Sequence, residues 1–204
     1  MTSVWKRTRT VAAIVAFASI AALAHPADTQ AATKAPRGSI YLMRGLADVF
    51  SLGLNALNDK LRARGVNSIV LNHSSWRSVA QQIERRYRTD KNALPVILIG
   101  HSFGADATLR LAAELAKHNI PVALVVEFDV VSKKIRVPAN VRHVVNFYES
   151  KGNGLALRGA PGFRGRLQNI DLSRTDPSIG HLNIEQSDRL HARAIAEVLG
   201  VLGR

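Results

Sequence analysis

The stretch "VILIGHSFGADATLRL", residues 96–111, decides the fold. Val96, Ile97, Leu98 and Ile99 form an unbroken apolar run, which suits a strand buried on both faces in a parallel sheet. Gly100-His101-Ser102-Phe103-Gly104 follows at once, and then an Ala- and Leu-rich segment with helical character. A serine therefore stands between two glycines where a buried strand becomes a helix. A hydroxyl is a poor nucleophile unless a base takes its proton, and it must stand clear of the backbone to be reached. A sharp strand-to-helix turn exposes it. Gly100 and Gly104 leave room for that turn, and Ala105 and Ala107 allow close packing behind it. The N–H of Phe103 then lies at a helix N-terminus, a favourable place for developing negative charge.

Outward from this point, strand-like and helix-like segments alternate. "SIYLMRG" (39–45), "SIVLNH" (68–73) and "PVILIG" (95–100) read as three strands. Between them, 49–65 puts Phe50, Leu54, Leu57 and Leu61 on one helical face, with Gly65 as a stop. The segment 78–90 places Val79, Ala80, Ile83 and Tyr87 together, with Ser78 as cap and Gln81 at the capping-box position. The helix after Ser102 runs to about His118. Strands follow at 122–129, 141–149 and 166–172, and a last helix covers Ser187 to Leu202 with Leu190, Ala194, Ile195, Val198, Leu199 and Leu202 on its apolar side. This order predicts an α/β fold, a mostly parallel sheet of about six strands with helices on both faces. Two connections are unusual. Residues 131–140 are too few for a crossover helix, and the Gly-rich 150–165 has no helical period.

The N-terminus reads differently from the rest. Lys6, Arg7 and Arg9 precede an apolar run from Val11 to Ala24, which ends in Ala22-Leu23-Ala24. This is the order of a secretory signal peptide over 1–24, and the run is shorter than the roughly 20 residues of a spanning helix. Residues 25–37 read as a loose tail and 38–204 as the folded domain. The expectation is an exported protein, periplasmic or secreted. The chain of 204 residues has no cysteine, which excludes disulfides, thiolate metal sites and a cysteine nucleophile. Its formal charge is +13. Such a chain favours anionic surfaces or substrates. The basic residues are spread out and aromatics are only 5%, so no stacking platform for nucleic acid is evident. Lys133, Lys134, Arg136, Arg142, Lys151, Arg158, Arg164 and Arg166 crowd the two unusual connections, where peripheral contact with an anionic membrane surface is expected.

With "VILIGHSFGADA" and the element order from about residue 40 onward, the chain resembles the α/β-hydrolase superfamily. The resemblance implies Ser102 as nucleophile, with an acid and then a histidine downstream. Of the later histidines, His118 ends a helix and His143 starts a strand, both at the wrong edge of the sheet, and His191 lies within the last helix. His181, in "DPSIGHLNIE", precedes that helix, where the superfamily keeps its base. Two acids end strands at the active edge, Asp129 and Glu149. Glu149 matches the usual hydrolase placement, and Asp129 matches thioesterase-like members. Asp129 is favoured because a carboxylate at the mouth of a buried strand needs a partner, which a histidine N–H supplies. Asp106, Asp171 and Asp176 read as local caps or braces. The oxyanion donors by analogy are the N–H groups of Phe103 and Leu46, although "MRGL" (43–46) has Arg44 where relatives often carry His.

The reading is a small, lidless serine hydrolase acting on a carboxylic ester, with a lipid or other anionic molecule as substrate and no metal or cofactor. A thioesterase, amidase or acyltransferase on the same site, and a non-catalytic envelope binding protein on a hydrolase scaffold, are the alternatives. The signal-peptide reading has a direct check. N-terminal sequencing of the exported protein should begin at or near His25. Retention of Trp5 in a membrane fraction contradicts it.

Overall fold

A computed structural model describes Met1 and residues 38–46, 51–90 and 93–204. The expected leader and tail, and Phe50, lie outside the described residues. Six strands form one sheet: β1 (Ser39–Arg44), β2 (Ser68–Asn72), β3 (Val96–His101), β4 (Val122–Phe128), β5 (His143–Tyr148) and β6 (Arg166–Asp171). Their order is β2-β1-β3-β4-β5-β6, and every adjacent pair is parallel. The helices are α1 (Gly53–Arg62), α2 (Trp76–Thr89), α3 (Phe103–Lys117) and α4 (Asp188–Leu202). None of the described helices is long and apolar enough to cross a membrane.

Alternation along each strand feeds two cores. In β3, Val96 and Leu98 face α2 and α3, while Ile97 and Ile99 face α1 and α4. The first core holds Val79, Ala80, Ile83, Leu109, Leu111 and Leu115. The second holds Leu54, Leu57, Leu61, Leu190, Ala194 and Val198. All six residues of β3 are buried, as its unbroken apolar run implies. β6 closes one edge. Its polar, part-exposed sequence RLQNID suits an edge strand that must not recruit another chain.

The two unusual connections cross the sheet without helices. They pair with each other instead. Val137 bridges Gly159, its N–H donates to Arg158 O at 3.0 Å, and Ala160 N–H donates to Val137 O at 2.8 Å. Val130, Val137, Val141 and Leu157 are buried from this layer into the α2/α3 core. Asn140 Nδ2 donates to Ala112 O and Ile120 O at 3.0 and 2.8 Å, tying the layer to the end of α3. A side chain at Gly159 would meet the Phe163 ring at 2.6 Å, so the tight path requires glycine there. The eight basic residues of these connections are exposed but do not form one patch. Arg142 directly precedes β5 and Arg166 opens β6, so both sit at the edge where strands begin, opposite Ser102. Lys133, Arg136 and Arg158 group instead around a small cavity of the cross-sheet layer.

Helix α2 starts earlier than the sequence suggests. Asn72 accepts from Ser74 N at 2.8 Å and caps a short 3-10 turn, out of which α2 continues from Trp76. Ser78 is therefore inside the helix, donating to Ser75 O at 2.8 Å. Tyr87 is exposed, because Arg86 takes the sheet-facing place at that turn through bonds to Ser39 Oγ and Asp90. Helix α4 begins at its Ser187 cap and ends at Gly203, whose φ of 70° is the left-handed cap glycine favours.

One buried acid lies under α3. Glu127 of β4 is fully buried, accepts from Thr108 Oγ1, and has no partner for Oε2. Burial pushes its carboxyl well above the ordinary 4.5. The folded chain thus holds a proton that the unfolded chain releases near 4.5. The unfolded state binds fewer protons above that pH, so this site's contribution is whole at acid pH and is lost as pH rises. Glu127→Gln should therefore gain stability relative to the native chain as pH rises above 4.5, read as a widening gap in urea midpoints.

Candidate active site

The strand-to-helix turn at Ser102 is strained. Ser102 has φ 58° and ψ −124°, a region few non-glycine residues occupy. Its N–H donates to Phe128 O at 3.0 Å, and its carbonyl accepts from Asp106 N at 3.2 Å to open α3. The flanking glycines are needed for space. A side chain at Gly104 would lie 1.9 Å from Met43 O, and one at Gly100 would lie 2.6 Å from the Ala105 backbone. The hydroxyl projects from the carboxyl-terminal edge of the sheet, where open parallel sheets bind their ligands.

Two other predicted residues meet Ser102 there. His181 Nε2 is 2.9 Å from Ser102 Oγ, and His181 Nδ1 is 2.6 Å from Asp129 Oδ2. Asp129 follows the last residue of β4, is fully buried, and has φ 59°, a conformation Asp tolerates better than most residues. Its other oxygen accepts from Glu149 N at 2.8 Å. That bond fixes the carboxylate plane. Glu149 thus touches Asp129 through its main chain, while its own carboxylate accepts from Lys151 N at 2.7 Å and Ser173 Oγ at 2.9 Å. Gly154 covers the pair, since a side chain there would lie 1.8 Å from Asp129 Oδ1.

The remaining histidines and acids have local partners. His118 lies 3.5 Å from Glu84, His143 3.6 Å from Glu197, and His191 Nε2 2.6 Å from Glu185 O. Asp106 accepts from Ser132 N, Asp171 from Ser150 N and Ser173 N, and Asp176 from Ser178 and Arg189. Bonds from Ser150 and Ser173 hold the Asp171 carboxyl down at about 2. Among the described residues, no three His, Asp or Glu side chains come together as metal ligands.

Sequence reasoning passed over His101, the residue inside Gly-His-Ser. It is buried, its Nε2 is 2.9 Å from His181 O, and its Nδ1 is 2.8 Å from Ser51 Oγ. A carbonyl only accepts, so Nε2 carries the proton and Nδ1 accepts from the Ser51 hydroxyl. Ser51 Oγ in turn accepts from Gly45 N at 2.9 Å. Burial pushes the His101 imidazole down to about 4, which keeps this neutral form in place. A directional chain therefore runs from the loop after β1 to the backbone of His181. His73 acts on the same loop from the other side, with Nδ1 3.1 Å from Gly45 O. That nitrogen also carries a proton, and it fixes the carbonyl of the Gly45–Leu46 peptide. In a trans peptide the Leu46 N–H points the opposite way. The loop lies close to the serine, since a side chain at Gly45 would come 3.2 Å from Ser102 Cβ. Phe103, as the first residue of α3, has no carbonyl within its helix to receive its N–H.

An imidazole held between a buried carboxylate and a hydroxyl can take the hydroxyl proton and keep the resulting charge balanced. The Asp129–His181 bond has a spectroscopic signature. The Nδ1 proton of His181 should resonate far downfield in the native chain and in Glu149→Gln. It should vanish in Asp129→Asn and in Gly154→Ala, where the added methyl displaces Oδ1. Proton NMR at low temperature reads all four.

No family model and no curated protein matches the sequence. Among solved structures, a cutinase-like protein from Cryptococcus sp. superposes with TM-score 0.55 at 16% identity, over 82% of this chain and 96% of that one. A Xanthomonas campestris pv. campestris protein described as a hydrolase of the alpha/beta superfamily gives 0.47 at 17% identity, over 80% and 99%. The NocB thioesterase domain from the nocardicin cluster gives 0.48 at 13%, over 82% and 94%. At these identities the likeness is one of fold, and it rests on the first of the three.

Proposed function

We propose that this chain, which has the α/β-hydrolase fold, is an exported serine hydrolase that cleaves carboxylic esters through an acyl-enzyme. The reading is carried by one observation, the continuous chain from Asp129 through His181 to Ser102 at 2.6 and 2.9 Å.

Ser102 Oγ attacks the ester carbonyl as His181 Nε2 takes its proton. The new bond places negative charge on the carbonyl oxygen, and the N–H groups of Phe103 and Leu46 receive it. Asp129 holds His181 in the tautomer with Nδ1–H and stabilises the imidazolium. His181 then gives its proton to the leaving alcohol. Water, deprotonated by His181, attacks the acyl-serine and releases the acid. In this scheme the chain Gly45–Ser51–His101 and the His73 contact keep the oxyanion loop and His181 at fixed separation. An ester fits the expected export better than carrier-bound thioesters, which are cytoplasmic substrates.

A fluorophosphonate should label Ser102 in the purified protein, and Ser102→Ala should abolish both labelling and hydrolysis of p-nitrophenyl butyrate. Asp129→Asn should lower kcat by about 10⁴-fold with the fold retained, and Glu149→Gln should cost far less. Folded protein that does not label would instead favour the non-catalytic binding reading. A larger loss at Glu149 than at Asp129 would move the acid to the later strand.

A further inference from the structure

A cavity of about 660 Å³ opens at Phe103, the residue after Ser102, between the first turns of α2 and α3. Phe103 and His73 form its inner wall, with their rings 6.0 Å apart. Trp76, Arg77 and Arg110 line the outer part. The Arg77 guanidinium lies over the Trp76 ring, 4.4 Å from its centroid, which holds that cation in place. Among the described residues, neither Arg77 nor Arg110 makes an ion pair. The nearby acids feel these cations without pairing with them, Asp106 the charge of Arg110 and Glu114 that of Arg77. Glu114 is paired with Lys117 at 2.7 Å. Asp106, which also lines the cavity, accepts from Ser132 N at 3.2 Å, and burial pushes its carboxyl upward. Ser132 is shared with the smaller cavity that Lys133, Arg136 and Arg158 surround, so positive charge continues past the rim.

The geometry also says which part of a substrate belongs here. His181 must protonate the leaving alcohol, so the alcohol side lies beside His181. No residue of the loop that carries His181 lines this cavity. What fills it is the acyl side. Its aromatic inner wall suits methylenes, and its outer end presents two guanidinium groups to an anion.

We propose that the cavity is an acyl-binding site for chains that end in an anionic group, in the simplest case a carboxylate, received by Arg77 and Arg110. This inference rests on the hydrolase reading and names its substrate class. Guanidinium forks match carboxylates in geometry as well as charge.

The test compares p-nitrophenyl hydrogen adipate and suberate with p-nitrophenyl hexanoate and octanoate, equal in chain length. The anionic ester should have the higher kcat/KM, by roughly tenfold or more at low salt, chiefly through KM. The ratio should fall as salt rises and fall further in Arg77→Gln and Arg110→Gln, approaching one in the double variant. A ratio of one or below in the native chain, or a ratio unchanged in the double variant, overturns the proposal while leaving the hydrolase reading intact. If no ester is cleaved, binding decides. Monomethyl suberate titrated into Ser102→Ala should change Trp76 fluorescence saturably, and the change should be lost in the double arginine variant and in Trp76→Phe. No saturable change overturns the proposal. Saturable binding without cleavage or labelling overturns only the hydrolase reading.

Discussion

The backbone turn at Ser102 is the constraint on which the rest of the site depends. A residue at φ 58° and ψ −124° persists only where the surroundings leave no alternative. Here β3 enters the turn fully buried and paired on both sides, and α3 leaves it packed against β1. The Met43 carbonyl sits where a side chain at Gly104 would be, so strand and helix approach within backbone contact. Strand and helix are both held by a core, and Ser102, the single residue between them, absorbs the strain. The serine hydroxyl is presented by a rigid frame.

The same logic repeats at the acid. Asp129 also has positive φ, at 59°, immediately after a buried strand. Its carboxylate has no access to water and needs a partner for each oxygen. His181 takes one oxygen and the Glu149 N–H takes the other. The second bond comes from the end of the adjacent strand, β5, so the parallel pairing of β4 and β5 sets the orientation of the acid. His101 does for the histidine loop what Glu149 does for the acid. Neither residue need touch a substrate for these contacts, one from a side chain and one from a main-chain N–H, to matter.

Helices are absent from two crossovers because the chain found another way to cover the sheet. Residues 130–163 pair in part with themselves and bury Val130, Val137, Val141 and Leu157 where a helix would have placed its apolar stripe. This layer also supplies Gly154 against Asp129 and Ser132 against Asp106. Gly154, Gly159 and Gly165 serve close approach and Gly162 a positive φ of 83°, which explains the density of glycine there.

Much of this was legible in the chain because local pattern carried it. The unbroken run Val96–Ile99, the glycines around Ser102 and the helical spacing of Leu54, Leu57 and Leu61 determine a parallel α/β sheet with a serine at its edge, since each follows from burial periodicity and local sterics. His181 was legible by its place between the last strand and the last helix. The start of α2 and the exposure of Tyr87 were not, because Asn72 and Arg86 act through bonds that periodicity does not report. Tertiary structure alone shows that the carboxylate of Asp129, and not that of Glu149, contacts His181. Both end apolar strands at the same edge, and only the register of β4 against β5 brings one carboxylate to His181 and turns the other to Ser173. It alone also gave His101 and His73 their places. A histidine's tautomer is set by the groups that face it, and those groups lie 50, 80 and 28 residues away along the chain.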